Sequence, residues 1–234
     1  ESVVASYTGL KKSVYIDKDG VAHKLSKVKV KYKLNETTAK DRTANIFLSN
    51  SPNIALWYGA AGDQGNGRVD LTVDLTFYDE NGKEITLGKD SHAWLDMSSL
   101  NNGTTKVEYF APNGNTTLAI PGSSIEQVGD DWQAKGNNEI KPAPAGWDNP
   151  TSANHYYGAA IMELEGNSFH IGQKITKYNP GLTNTHNVYS WFALDSSLAK
   201  PEIAWHEVTY GVTYDTKVDG EQTVTYVYKD KNGK

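Results

Sequence analysis

An antiparallel β-sandwich is the fold that this sequence predicts, on three observations. Long stretches alternate strictly between apolar and polar residues. Residues that tolerate positive φ recur between those stretches. No window of helix length carries a convincing apolar period of 3.6 residues. Short strands, frequent turns and little helix define an all-β arrangement of packed layers with long loops.

In chain order, Asp19-Gly20 first marks a turn. Val28, Val30, Tyr32 and Leu34 then fall on one face, and Lys27, Lys29, Lys31 and Lys33 on the other. Side chains alternate across a strand, so this is a half-buried strand. Residues 44–48 and 54–58 are shorter apolar runs. Val69, Leu71, Val73, Leu75 and Phe77 alternate with Asp70, Thr72, Asp74 and Thr76, and Asn81-Gly82 supplies a hairpin turn after them. Residues 91–100 hold Trp94, Met97 and Leu100 three apart, a spacing that suits a short helix. Runs at 106–110, 116–120, 159–164, 169–171, 188–194 and 205–214 follow. Asn113-Gly114 and Asp219-Gly220 mark further turns. Val224, Tyr226 and Tyr228 against Thr223 and Thr225 make the last alternating stretch. Residues 129–154 differ, with Pro142, Pro144, Pro150, Trp132 and Trp147 among several Gly and Asn. A long loop inside a compact domain is usually functional or disordered. Tryptophan needs something to pack on, which favours function.

The 234 residues suffice for one large β domain spanning 1–234. Glu1 and Lys234 suggest a part of a longer protein. No run of transmembrane length and no signal-peptide pattern occurs, so membrane insertion by this chain is not expected. The net charge of −5 is mild and argues against a dedicated nucleic-acid module. The absence of cysteine suits the cytosol or a Gram-positive surface and disfavours a disulfide-rich secreted scaffold.

Catalytic apparatus is hard to find. Glu163 and Glu165 would share one face of a strand, as in retaining glycosidases, but Gly166, Asn167 and Ser168 follow where a third acidic residue usually stands. The six histidines form no helical zinc pair. Without cysteine a structural zinc site is not expected. Asp17-Lys-Asp19-Gly20 echoes the start of a calcium loop, but its twelfth position is Val28, so a hairpin turn is the better reading. The lysine stripe has two readings. Asp70 and Asp74 on a neighbouring strand would neutralise it, or an anionic polymer would.

What remains is aromatic surface, from six Trp and fourteen Tyr. Trp57, Trp94, Trp132, Trp147 and Tyr156 lie beside Gly, Asn or Asp. Sugar rings have apolar faces and polar rims, and an aromatic plate beside Asp96, Asp148 and Asn149 would meet both. The competing reading places the rings in the core, and it is preferred for Trp57. These eight residues are the expected ligand cleft, with loop 129–154 folding over one sheet to complete it.

Several blocks in order carry a resemblance. Tyr7, Leu10, Tyr15, Gly20 and Leu25-Ser26-Lys27 form the first. Phe77-Tyr78-Asp79-Glu80, Gly82 and Ile85 form the second. Ser98-Ser99-Leu100-Asn101 and Gly122-Ser123-Ser124-Ile125 are the middle ones, and Gly146-Trp147-Asp148 with Tyr157-Gly158-Ala159 the last. From about Ser6 to Ile175 the chain resembles the glucan-binding protein C / antigen I/II variable-region family. That resemblance implies a lectin-like β-supersandwich with a cleft over one face. It implies a non-enzymatic adhesin of the Gram-positive cell surface, anchored in the wall through parts outside this chain. The implied partners are a host glycoprotein or glycan, or alternatively a host protein or an anionic polymer such as lipoteichoic acid or DNA. No cofactor is required. Some members hold a structural calcium ion, whose ligands are not assigned to residues of this chain.

Overall fold

The structure, a computed structural model, describes residues 1–10, 13–17, 19–37, 45–48, 56–61, 67–89, 93–104, 106–140, 142–149, 152–175 and 187–197. Ile16, Asn45, Phe47, Gly67, Ile175 and residues 56–61 and 187–197 are described by their backbone alone. The chain divides into two compact units, Glu1–Lys200 and Pro201–Lys234. Every described residue lies in the first. The strands expected at 205–214 and 223–228 lie outside the described residues.

The strands in chain order are β1 (Ser2–Thr8), β2 (Val14–Ile16), β3 (Ala22–Thr37), β4 (Asn45–Leu48), β5 (Leu56–Ala61), β6 (Gly67–Asp79), β7 (Glu84–Ile85), β8 (Trp94–Ser98), β9 (Lys106–Ala111), β10 (Thr116–Ala119), β11 (Ile125–Val128), β12 (Asp131–Ala134), β13 (Ala160–Glu163), β14 (Ser168–Ile175) and β15 (Asn187–Ser197). A 3-10 helix, His155–Gly158, precedes β13. The larger sheet has nine strands in the order β1-β3-β6-β14-β9-β12-β11, with β2 beside β3 and β7 beside β6. The smaller has six, in the order β10-β13-β8-β15-β5-β4. The pairings are antiparallel. Among the described residues no helix is long and apolar enough to cross a membrane.

The two long alternating stretches are β3 and β6. Val69, Leu71, Val73, Leu75 and Phe77 are all buried, as are Val30 and Tyr32 opposite them. Leu25 is buried too, although its odd number should face it outward. A register shift between Leu25 and Lys27 resolves this. The extra residue of a bulge switches the side-chain parity, so Leu25 and Val30 share the inner face. From the smaller sheet Leu95, Met97, Ala160 and Met162 close the core.

Two turns use one device. Asp79 Oδ1 accepts the N–H of Asn81 and Lys83, while Gly82 takes φ 77°. Asp17 Oδ1 accepts the N–H of Asp19 and Val21, while Gly20 takes φ 80°. The local bonds of a short carboxylate fold each hairpin. Asp17 Oδ2 meets His23 Nε2 at 2.8 Å, so both oxygens of this supposed calcium-loop residue are engaged within the turn.

Two expectations are corrected. Residues 94–98 form strand β8, not part of a helix. Leu95 and Met97 face the core while Trp94 and Asp96 face away. Period two was present there, and the triplet Trp94, Met97, Leu100 spans both faces. The loop expected at 129–154 begins later, because 131–134 is β12, joined to β11 by a turn at Gly129 with φ 68°.

The outer face of the larger sheet carries a polar knot. Asp70 is 6% exposed and accepts from Tyr109 Oη at 2.6 Å and Asn35 Nδ2 at 2.8 Å. His170 Nδ1 lies 2.9 Å from Asp70 Oδ1. Tyr109 reaches Asp70 by lying across Gly172, which has no side chain to obstruct it. Burial alone would raise the Asp70 pKa, but the bonds from Tyr109, Asn35 and His170 outweigh it and the net shift is downward. A carboxylate with a lowered folded pKa contributes stability that is full above its unfolded value, near pH 4, and is lost as pH falls through the folded value. Asp70→Asn is therefore expected to flatten the pH dependence of stability below about pH 4. Urea denaturation from neutral to acid pH checks this, and parallel curves for both proteins would contradict it.

Candidate functional site

The site is built at the exit of β8. Trp94, Asp96 and Ser98 alternate with core residues and so share the outer face of the smaller sheet. Just beyond the strand, Ser99 takes φ 63°, a left-handed conformation unusual for serine. That kink sends Leu100 back into the core, where it is 1% exposed, and leaves Ser99 and Asn101 to meet the long loop. Ser99 Oγ donates to Asp148 Oδ1 at 2.6 Å, and Asn101 Nδ2 donates to the same oxygen at 3.0 Å.

Asn101 is itself held from below. Its N–H donates to Glu108 Oε2 at 2.9 Å, and Glu108, 2% exposed, pairs through Oε1 with Lys106 Nζ at 2.6 Å. A buried carboxylate with a partner on each oxygen is satisfied. Asn138, 2% exposed, ties the other end of the loop. Its Nδ2 donates to Leu100 O and Ser124 Oγ, and its Oδ1 accepts the Asn102 N–H at 2.7 Å.

The 3-10 helix completes the rim. His155 Nε2 sits 2.7 Å from Asp96 Oδ2. His155 Nδ1 faces the Ser152 carbonyl at 2.8 Å, so that nitrogen donates, and the bridge to Asp96 is complete when Nε2 also carries a proton. Tyr156 lies against Gly122, its Cε2 3.3 Å from where a Cβ would stand. Ser123 Oγ donates to the Ala159 carbonyl at 2.7 Å, and Ser124 Oγ to the Tyr157 carbonyl at 2.7 Å. The blocks 98–101, 122–125, 146–148 and 157–159, far apart in sequence, thus meet in one place.

Of the eight expected residues, two lie on β8 and three on the loop and 3-10 helix that bond to it and to the segment just after it. Trp94 is half-buried and Asp96 is bridged to His155 on its outer face. Asp148 and Asn149 are exposed on the anchored loop, and Tyr156 is half-buried in the 3-10 helix. Trp57 lies on β5 of the same sheet, two strands from β8, with only its backbone described. Two rings do not fit the expectation. Trp132 points into the core from β12 and stacks on Phe110 at 6.2 Å. Trp147 is 7% exposed, edge-on to Tyr157 at 5.6 Å, with its benzene edge pressed on Gly158. Both bury their apolar faces within the protein, so neither offers a plate to a ligand. Trp147 instead staples the loop to the 3-10 helix.

Sequence reasoning missed His155, Glu108 and Asn138, and named Ser99 and Asn101 only within a block of the resemblance. Their partners lie up to 59 residues away, Asp96 to His155, and no local pattern announces such a pair. Asp96 Oδ1 and Ser98 Oγ on β8 are both buried and have no hydrogen-bond partner among the described residues. Glu163 closes β13, and Glu165 lies beyond the strand end with Oε1 accepting from Thr116 Oγ1 at 2.6 Å. The two carboxylates are therefore not neighbours on one strand face. Among the described residues no three His, Asp or Glu side chains gather as a metal site.

The domain is an adhesin-like surface-binding domain. It belongs to the glucan-binding protein C family, whose model matches residues 1–195. The chain is similar to the glucan-binding protein C of Streptococcus mutans, described as mediating both sucrose-independent and sucrose-dependent adherence. The two are 30% identical with a TM-score of 0.70, over 82% of this chain and 57% of that one. This chain thus spans less than two thirds of that structure. It is also similar to the adhesin domain of PrgB from Enterococcus faecalis, at 23% identity and a TM-score of 0.66, over 83% of this chain and 63% of that one. The same domain bound to DNA gives 24% identity and a TM-score of 0.67, over 85% and 68%. These two likenesses concern the fold alone.

Proposed function

We propose that this chain is a non-enzymatic bacterial surface adhesion module that binds carbohydrate, free or on a host glycoprotein, across the outer face of β8. The observation that supports this reading is that Trp94 and Asp96 share one face of β8, while the segments carrying Asp148, Asn149 and Tyr156 are tied by hydrogen bonds and an ion pair to Ser99, Asn101 and Asp96. A rigid frame limits the ordering cost of binding. The Trp94 ring supplies the apolar plate, and the carboxylates accept from the hydroxyl rim. The glucan named for the Streptococcus mutans relative is one ligand of this chemistry. On this reading 1–234 works as one adhesion module at the cell surface, part of a longer wall-anchored protein, and no cofactor is required. Trp94→Ala is expected to weaken binding to dextran, or to the strongest glycan on an array, by about 1–3 kcal/mol, the scale of one aromatic stacking contact. Its melting temperature should stay near that of the parent. Unchanged affinity would remove β8 from the site.

A second reading rests on β3. Lys29, Lys31 and Lys33 are exposed, and of the ladder partners of Lys27, Lys29, Lys31 and Lys33 on both sides only Asp74 is charged. Asp70 pairs with Glu36 in the ladder and is taken up by Tyr109, Asn35 and His170. The expected neutralisation is thus mostly absent, and the row suits an anionic polymer. Single-stranded DNA binding with a log–log salt slope of about −0.7 per phosphate neutralised, made shallower in Lys29→Gln/Lys31→Gln/Lys33→Gln, is the expected result. A slope near zero would discard this reading.

A further inference from the structure

We propose that two copies of this chain pair through β1, antiparallel, about a two-fold axis at Ala5. Among the described residues β1 is the outer strand of the larger sheet and pairs only with β3. It is seven residues long, whereas the other outer strands β11, β10 and β4 have four each. Long open edges template pairing with another chain, and proteins usually blunt them with lysine, proline, a bulge or an inward charge. β1 has none of these. Ser2–Thr8 is uncharged, its register with β3 is unbroken, and Val3 and Val4 are 42% and 48% exposed.

The backbone parity fits a second copy. The Glu1 carbonyl accepts the Leu34 N–H. Odd-numbered residues of β1 therefore turn their polar groups toward β3, and Ser2, Val4, Ser6 and Thr8 turn theirs to the free edge. Ala5 is the midpoint of Ser2–Thr8. A two-fold axis there sets Val4 opposite Ser6 and Ser2 opposite Thr8, each pair with free donors and acceptors facing. On the core side it sets Val3 against Tyr7, a β-branched and aromatic cross-strand pair of the favourable kind. All seven residues are used, and no like charges meet within the pair. The two lysine rows on β3 end three strand spacings apart, about 14 Å, beyond the screening length of about 8 Å at physiological salt. One strand pair is a small interface, so the association is transient and grows with local concentration.

The chain has no cysteine, so one introduced thiol reports the axis. Across a non-hydrogen-bonded pair the Cα atoms approach to about 4.5 Å, within disulfide reach of roughly 4.4–6.8 Å. Ala5→Cys is expected to cross-link the whole chain into dimers at least about tenfold faster than Ile140→Cys, an exposed loop control, because pairing raises the local thiol concentration. Adding Val4→Pro, or separately Ser6→Pro, should abolish the excess. Each removes an N–H that faces only the free edge and leaves the β1–β3 ladder intact. Sedimentation equilibrium from about 10 μM to about 1 mM should show a weak dimer in the parent and a monomer in either proline variant. Equal cross-linking of Ala5→Cys and Ile140→Cys would overturn the proposal. So would a dimer that survives both proline substitutions.

Discussion

Gly172→Ala is expected to destabilise the larger sheet severely, although it adds a single methyl group. Gly172 faces Tyr109 on one side and Asp70 on the other. An added Cβ would overlap Tyr109 Oη and Cζ and stand 2.6 Å from the Val69 carbonyl oxygen. That carbonyl belongs to β6, a central strand, and cannot swing aside. Relief requires Tyr109 to leave, which removes one of the hydrogen bonds that hold the buried Asp70 carboxylate and leaves those of Asn35 and His170. Overpacking costs about 1–3 kcal/mol, and loss of one hydrogen bond to a charged group adds about 1.5–3 kcal/mol. A urea midpoint lowered by the equivalent of at least about 2 kcal/mol is the expected result. Tyr109→Phe in the parent background isolates the hydrogen-bond term, since it removes the hydroxyl with glycine still beneath the ring. A Gly172→Ala protein as stable as the parent would show that Tyr109 does not cross Gly172.

Trp132→Ala should cost about 3–5 kcal/mol of folding stability, the range for deleting a large core aromatic. Trp132 is 9% exposed, stacks on Phe110 with an interplanar angle of 16°, and belongs to the same core as Ile125 and Ala134. β12 is four residues long and pairs with β9 at the Trp132–Phe110 position. The ring therefore supplies much of what holds β11 and β12 to the sheet. Calorimetry would show the loss, and the m-value would fall if β11 and β12 detached before the rest unfolds. A large affinity loss with unchanged stability would return Trp132 to the ligand site.

The contrast between Trp132 and Trp94 shows what the sequence could and could not say. β3 and β6 were legible because each keeps its alternation over many residues and buries one face. β12 also alternates, with Asp131 and Gln133 against Trp132 and Ala134. Four residues set among Gly, Asn and Pro are too few to separate from a loop, so Trp132 read as a loop aromatic. β8 was hidden by the opposite accident, since Trp94, Met97 and Leu100 imitate a helical face. The bulge after Leu25 had no signal of its own. It is forced by the need to bury both Leu25 and Val30. Of the proposed site, Trp94, Asp96, Asp148, Asn149 and Tyr156 could be put forward from the sequence because aromatic and carboxylate neighbours suit a sugar. Their frame could not. Asn138, Asn101 and Glu108 look like ordinary polar residues until the fold brings Leu100, Ser124 and Asp148 to them.

Trp147 occupies the middle ground. Its block, with Gly146 at φ 70° and Gly158 beneath its ring, is a clasp between loop and 3-10 helix. Losing that ring frees Asp148 from its place beside Ser99 and Asn101, so binding and local stability should fall together. Trp94 is half-buried where Trp147 is buried, so the two substitutions separate the proposed ligand contact from the scaffold.

Parallel titrations of the parent, Trp94→Ala and Lys29→Gln/Lys31→Gln/Lys33→Gln against one immobilised glucan test the central claim most directly, with a melting curve for each. If carbohydrate is bound across β8, Trp94→Ala loses roughly one to two orders of magnitude in affinity at an unchanged melting temperature, and the lysine variant binds as the parent does. Full binding by Trp94→Ala, with the loss confined to the lysine variant, would contradict it.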